Sequence, residues 1–129
     1  MRSPLYAILA AAALTSCSTT AVEEETGPSV RDLIVSMDYE QAVRLSADQV
    51  ASVPSQANLR EQKTATIAWL LDQGRRLTFA DKDLEALLTF EQALLLDPSS
   101  EVPLTWIGKT RGKMASASFA LAMELHANE

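Results

Sequence analysis

The chain is predicted to be an all-α protein, and three features of its 129 residues lead to this prediction. From Val30 onward the chain is rich in alanine, leucine, glutamate, glutamine and arginine, which favour helices. No segment sustains the apolar and polar alternation of period two that marks a strand. Pro54, Pro98 and Pro103 divide this part of the chain into segments of helical length. The sequence therefore predicts a series of helices joined by short turns.

The N-terminal segment carries a short apolar run that ends at a cysteine. Arg2 supplies a positive charge, and Leu5 to Leu14 form an apolar stretch much shorter than the roughly 20 residues that a membrane-spanning helix needs. The run closes with the sequence Leu14, Thr15, Ser16, Cys17. This pattern resembles the lipobox of bacterial lipoproteins, so residues 1–16 are predicted to be a cleaved lipoprotein signal peptide.

The lipoprotein resemblance implies that Cys17 carries a covalent lipid and becomes the first residue of the mature chain. Because Cys17 is the sole cysteine in the sequence, it has no partner for an intramolecular disulfide. Two or more acyl chains anchor a protein stably, at about 0.8 kcal/mol for each buried methylene. In the lipoproteins that the chain resembles, a residue other than aspartate directly after the cysteine permits transfer to the outer membrane, so Ser18 implies the periplasmic face of the outer membrane over the inner membrane. The alternatives are an ordinary secretory signal and a buried apolar helix of a cytosolic protein.

Residues 17–29 are predicted to be the lipidated cysteine and a flexible acidic linker, since Ser18 to Ser29 contain three consecutive glutamates, a Gly-Pro pair and almost no large apolar side chain. The whole chain has 11 basic and 17 acidic residues and a net charge of −6. This charge disfavours nucleic acid and anionic headgroups as partners. Residues 30–129 are predicted to form one helical domain.

Within this domain the helices are predicted in order. One or two short helices span about Val30 to Val53, and longer ones span about Gln56 to Phe79, Lys82 to Leu96, and Glu101 to Leu125. Asp81 is the predicted N-cap of the third segment, and Ser99 or Ser100 that of the last. Because Pro98 disfavours helical geometry at the residue before it, the third segment is predicted to stop at Asp97.

The third and second predicted segments together carry a repeat-like pattern. Its residues are Gly74, Leu77, Ala86, Phe90, Ala93 and Pro98. Ile67 to Pro98 resemble one tetratricopeptide repeat (TPR), in which Gly74 and Ala86 let two antiparallel helices approach closely. Fainter echoes precede it at Asp38, Tyr39, Ala42 and Pro54, and follow it at Trp106, Gly108, Phe119 and Ala120. The resemblance implies a short array of antiparallel helix pairs, a fragment of a TPR-like solenoid with a capping last helix.

Two apolar patterns add packing predictions. Leu84, Leu87, Leu88, Leu94 and Leu95 lie on one side of the third segment, and Ala86, Phe90 and Ala93 on another. Such a helix is predicted to pack on two sides. In the last segment, small residues recur every fourth position, at Gly108, Gly112, Ser116 and Ala120. They predict a smooth stripe over which another helix lies closely.

Residue patterns typical of catalysis are missing from the sequence. The single histidine, His126, stands close to the end of the chain, and no metal-ligand, nucleophile or phosphate-loop motif is found. The P-loop-like Ile107 to Thr110 lacks the leading glycine. Asp81, Asp83 and Glu85 stand where a helix start favours carboxylates. We therefore expect no enzyme activity, no metal, no small-molecule substrate and no cofactor beyond the lipid on Cys17.

A binding surface is the remaining functional feature. If the TPR register holds, the concave side carries Ala68, Leu71, Arg75, Thr78 and Phe79. This apolar stripe with one arginine suits an extended peptide or a helix that carries an acidic group; the alternative is that Leu71 and Phe79 belong to the core. Lys109, Arg111 and Lys113 form a basic cluster that either docks an acidic partner or is solvated. Trp69 and Trp106 are expected in the core.

These features predict a noncatalytic, lipid-anchored adaptor or assembly factor that binds another envelope protein. Small lipoproteins of this kind resemble accessory factors of pilus, secretion or outer-membrane assembly systems. The alternative is a structural envelope spacer or cell-wall tether without a specific protein partner.

Overall fold

The computed structural model describes residues 27–128, which form helices and no strand. The helices are α1 (Val30–Val35), α2 (Tyr39–Ser52), α3 (Gln56–Phe79), α4 (Asp83–Leu96) and α5 (Glu101–Ala127). Each helix packs against the one before it, and α1 also contacts α3. The all-α prediction is confirmed for this part of the chain. The predicted signal peptide, Cys17 and the linker up to residue 26 lie outside the described residues.

The segment from Val30 to Val53 forms two helices, α1 and α2, because the backbone turns at Met37 with a φ of 62°. A capping box starts α1: the Ser29 hydroxyl accepts a hydrogen bond from the Asp32 amide, and the Asp32 carboxylate accepts one from the Ser29 amide at 2.9 Å. The Ser29 hydroxyl also donates to this carboxylate and holds the pKa of Asp32 below its ordinary value. Asp38 then caps α2.

α3 spans the predicted residues and is capped by Ser55, whose hydroxyl accepts from the Asn58 amide at 3.1 Å. The prediction that Asp81 caps the next helix is wrong. The residue before α4 is Lys82, and Asp81 adopts a positive φ of 59° that directs its carboxylate to Lys113 instead. α4 ends at Leu96, immediately before Asp97, as the following proline predicts.

The turn before α5 contains the two serines that were predicted to cap this helix, Ser99 and Ser100. Ser100 occupies the N-cap position, but its side chain makes no capping hydrogen bond. Ser99 instead donates its hydroxyl to the Asp97 carboxylate at 2.7 Å, which lowers the pKa of Asp97. This hydrogen bond closes the turn that carries Pro98, so the Ser99 side chain stabilises the loop rather than the helix start.

Two buried clusters lie along α3. The first joins α1, α2 and the N-terminal half of α3 through Val30, Leu33, Ala42 and Ala65. The second joins α4 and α5 through Ala86, Phe90 and Ile107, with Leu71 and Leu77 of α3 packed against it. Because both clusters include α3, this helix is the central element of the described domain.

The close approach predicted for Gly74 and Ala86 is confirmed. Both residues are buried, and the Phe90 ring lies against the Cα of Gly74. The prediction that α4 packs on two sides agrees with its contacts, since α4 packs against both α3 and α5. On the leucine side, Leu87 and Leu94 pack against the second cluster, whereas Leu84, Leu88 and Leu95 are exposed. Within the described residues, no further helix lies on that side of α4.

The small-residue stripe of α5 does not hold a neighbouring helix. A Cβ placed at Gly108 or Gly112 would meet no atom within 4 Å. α5 instead packs on α4 through Pro103, Ile107 and Thr110, whose spacing of four and three residues defines a different face. From residue 115 to residue 128 every side chain of α5 is exposed.

Candidate functional site

One face of α3 carries the residues predicted for partner binding. Ala68, Leu71, Arg75 and Thr78 are separated by three, four and three residues, so they lie on one side of a helix of 3.6 residues per turn. All four are half-buried, whereas Phe79, beside Thr78 at the end of the helix, is 81% exposed. We call this surface the α3 face.

The members of the α3 face differ in their contacts. Leu71 packs against the second buried cluster and therefore contributes to the core, as one of the two alternatives anticipated. Arg75 donates from Nε to the Leu71 carbonyl at 3.3 Å, and its Nη2 lies 3.9 Å from the Asp72 carboxylate. The Thr78 hydroxyl donates to the Gly74 carbonyl at 2.9 Å. Phe79 does not belong to the core.

The α3 face continues toward the N-terminus of the helix. Ala57, Glu61 and Thr64 precede Ala68 at the same spacing of four and three residues. The face from Ala57 to Thr78 is therefore about 32 Å long at 1.5 Å per residue. The spacing of residues 57, 61 and 64 can be read from the sequence. These residues are small or polar, however, so no apolar periodicity distinguishes this side of the helix from the others.

α1 forms a wall beside this N-terminal part of the face. Val30, Ile34 and Val35 of α1 stand opposite Ala57 and Thr64 of α3. They line a cavity that is open to solvent and has a volume of about 500 Å³. This volume lies within the ~300 to 1,000 Å³ range of ligand pockets. We call this cavity the α1–α3 groove. Sequence reasoning missed it because the position of a six-residue helix against α3 depends on tertiary packing.

The predicted basic cluster is engaged in intramolecular contacts. Lys113 donates from Nζ to the carboxylates of Asp81 at 2.7 Å and Asp83 at 2.9 Å, and to the Thr78 carbonyl at 3.2 Å. These hydrogen bonds raise the pKa of Lys113 and lower that of Asp81. Lys113 thus ties α5 to the turn between α3 and α4.

The other two members of the cluster also have partners. Arg111 Nη2 lies 3.1 Å from the Glu91 carboxylate, and Lys109 Nζ lies 5.0 Å from the centre of the Trp106 ring. Trp106 in turn stacks on Phe90, with ring centres 5.6 Å apart. These contacts give the basic cluster a structural role within the described residues.

The second tryptophan, Trp69, is half-buried at a smaller cavity of about 210 Å³. It shares this cavity with Met37, Tyr39 and the ion pair between Arg76 and Asp72, whose atoms are 2.7 Å apart. Both tryptophans are therefore partly buried rather than fully enclosed in a core.

No group of three or more histidine, cysteine or acidic side chains suited to a metal ion occurs among residues 27–128. None of the helices in that range combines the length and apolarity needed to cross a membrane. His126 lies in the last turn of α5. Comparison of the chain with known protein families, curated proteins and solved structures yields no match.

Proposed function

We propose that the protein is a lipid-anchored, noncatalytic adaptor or assembly factor of the bacterial envelope, and that the α3 face binds its partner. In this proposal Cys17 carries the lipid on the outer membrane, residues up to 29 form a linker, and the helices form a short TPR-like array. The lipobox-like sequence that ends at Cys17 supports the anchor, and the packing of successive helices supports the array.

One observation carries the adaptor proposal: the α3 face leaves accessible surface at both ends of the central helix. Its N-terminal part opens into the α1–α3 groove, and its C-terminal end carries Phe79 with 81% of its surface exposed. Aromatic residues in such positions are frequent anchors of protein interfaces. Arg75 adds a charge about one turn before Phe79, with its side chain 40% exposed. The combination suits a peptide or helix with apolar and acidic residues.

The proposal is tested by crosslinking and affinity capture of the tagged protein from native membranes, followed by mass spectrometry. A stoichiometric envelope partner is expected for the wild-type protein, and its loss is expected with Cys17→Ser. An Arg75→Glu, Phe79→Ala variant tests the face. Leu95→Ala is the control, because Leu95 is an exposed leucine on α4, 80% accessible, that does not belong to the face.

Loss of the partner in the Arg75 and Phe79 variant, with capture retained by Leu95→Ala, supports the adaptor. Recovery of lipid and cell-wall material alone contradicts it, and the structural spacer or cell-wall tether then takes its place.

A further inference from the structure

The α1–α3 groove combines an apolar floor with two arginines. Val30 lies at its base, only 2% exposed, and Ile34 and Val35 continue the apolar surface, with Val35 75% exposed. Arg31 of α1 and Arg60 of α3 line the same groove. The groove therefore offers apolar contact area together with positive charge.

These two arginines differ from the others in residues 27–128. Arg44, Arg75, Arg76 and Arg111 each lie within 4 Å of a carboxylate. Arg31 and Arg60 are in no ion pair among the described residues. Within residues 27–128, the arginines whose guanidinium groups have no carboxylate within 4 Å are thus the two that line the groove. Arg31 also attracts the carboxylate of Asp32 at longer range. Guanidinium groups bind carboxylates with two parallel hydrogen bonds, so this arrangement is complementary to an acidic ligand.

We propose that the α1–α3 groove binds an acidic amphipathic segment of the partner protein, with its apolar side chains in the groove and its carboxylates at Arg31 and Arg60. The inference rests on the proposed adaptor function and identifies the chemistry of the partner. A helical segment fits because apolar residues at positions i, i+3, i+4 and i+7 form one stripe, which matches the stripe spacing of the α3 face.

A protein segment suits the groove better than an anionic lipid surface. The chain as a whole carries a net charge of −6, so an extended anionic surface, which would face more of the protein than the groove, is repelled. A segment confined to the groove meets two arginines, Arg31 and Arg60, and one carboxylate, Glu61. The α3 face continues the groove to Thr78, which gives a long, narrow surface of the kind that a peptide covers.

The first test measures fluorescence anisotropy of a labelled helical peptide with leucines in one i, i+3, i+4, i+7 stripe and glutamates beside it. The protein is the mature chain with Cys17→Ser. Saturable binding is expected for this protein, with affinity reduced about tenfold or more by Arg31→Glu combined with Arg60→Glu, since reversal removes two charge pairs. Both side chains are exposed, so the variant is expected to keep the wild-type circular dichroism.

The matched control for the single variant Arg60→Glu is Lys63→Glu, which makes the same charge change three residues later on a side chain that does not line the groove. The affinity of the Lys63→Glu variant for the labelled peptide is expected to equal that of the wild type. A peptide with lysines in place of the glutamates is expected to bind the double arginine variant better than it binds the wild type. The proposal is overturned if Lys63→Glu and the double arginine variant lose equal amounts of affinity for the peptide. It is also overturned if the protein without these changes shows no saturable binding of the peptide.

Other occupants give distinct results. Binding of the peptide only after Glu23, Glu24 and Glu25 are changed to glutamine means that the chain's own acidic segment competes for the groove, which overturns the partner assignment. Sedimentation with phosphatidylglycerol vesicles that requires Arg31 and Arg60, without peptide binding, assigns the groove to a lipid surface and likewise overturns it. Peptide-independent self-association that the double variant abolishes assigns the groove to a second copy, with the same consequence.

Capture from native membranes separates this inference from the adaptor proposal. If an envelope partner is recovered equally well by the wild type and the Arg31, Arg60 double variant, the groove assignment fails and the adaptor proposal stands. If the wild type recovers no partner, the adaptor proposal itself fails.

Discussion

The ring of Phe90 on α4 lies against the backbone of Gly74 on α3, so that a Cβ at position 74 would stand 2.7 Å from Cζ and 2.8 Å from Cδ1 of that ring. Gly74→Ala is therefore expected to lower the free energy of unfolding. Overpacking a core costs about 1 to 3 kcal/mol, which exceeds the ~0.5 to 1 kcal/mol that alanine gains over glycine inside a helix. Urea denaturation followed by circular dichroism measures the difference.

Gly108→Ala is the control for this prediction, because a Cβ at that position meets no atom within 4 Å. It is expected to stabilise the protein by about 0.5 to 1 kcal/mol. Combining Gly74→Ala with Phe90→Leu is expected to cost less than the sum of the two single changes, since the smaller side chain relieves the clash. Stabilisation by Gly74→Ala equal to that by Gly108→Ala would contradict the packing described.

The sequence predicts the α3–α4 pair well because its information is local. Gly74 and Ala86 mark the close approach of two helices, and Pro98 marks the end of the second. The sides of α4 and α5 that remain exposed were predicted less well. An apolar pattern such as that of Leu84 and Leu88 indicates a surface suited to packing. Whether another helix covers this surface depends on the tertiary arrangement.

Truncation of Phe79 is expected to leave stability almost unchanged, whereas truncation of Leu70, nine residues earlier on α3, is expected to lower it. Phe79→Ala should leave the free energy of unfolding within about 0.5 kcal/mol, because the ring is 81% exposed and makes little packing contact. Leu70→Ala should cost about 2 to 5 kcal/mol, since Leu70 is 7% exposed. Denaturation midpoints test the pair. A large loss of stability for Phe79→Ala would place this residue in the core and remove it from the α3 face.

The contact between Lys113 and Asp81 predicts a pH dependence of stability. The pKa of Asp81 is lowered, so its contribution is present above the ordinary pKa of aspartate and is lost as the pH falls through the lowered value. The pKa of Lys113 is raised, so its contribution is present below the ordinary pKa of lysine and is lost as the pH rises through the raised value. The pair is thus fully effective between about pH 4 and pH 10.

Asp81→Asn tests this pH dependence, because asparagine tolerates the positive φ of 59° at this position while it removes the charge. Urea midpoints of the wild type and variant are expected to differ at neutral pH and to converge at acid pH. Asp32 and Asp97, whose pKa values are also lowered, are present in both proteins and do not affect the comparison. A difference of the same size at pH 2 and pH 7 would exclude the ion pair as its cause.

The candidate site was predictable only in its C-terminal half. Ala68, Leu71, Arg75 and Thr78 follow from the register of a single helix, and this spacing can be read from sequence. The groove requires the position of α1 against α3, which depends on the burial of Val30 and Leu33 beside Ala65. No pattern within Val30 to Val35 specifies which side of α3 this short helix covers.

α5 is expected to exchange its amide hydrogens at two distinct rates. Its N-terminal half packs on α4 through Pro103, Ile107 and Thr110, whereas every side chain from residue 115 to residue 128 is exposed. Helical hydrogen bonds without tertiary packing open readily, because most helical stability in proteins comes from a packed face. Hydrogen exchange measured by nuclear magnetic resonance is therefore expected to show strong protection near Ile107 and weak protection near Leu121. Uniform protection along α5 in the isolated protein would mean that another surface, such as a second copy, covers Phe119 and Leu121, and dilution would then restore the fast exchange of this segment.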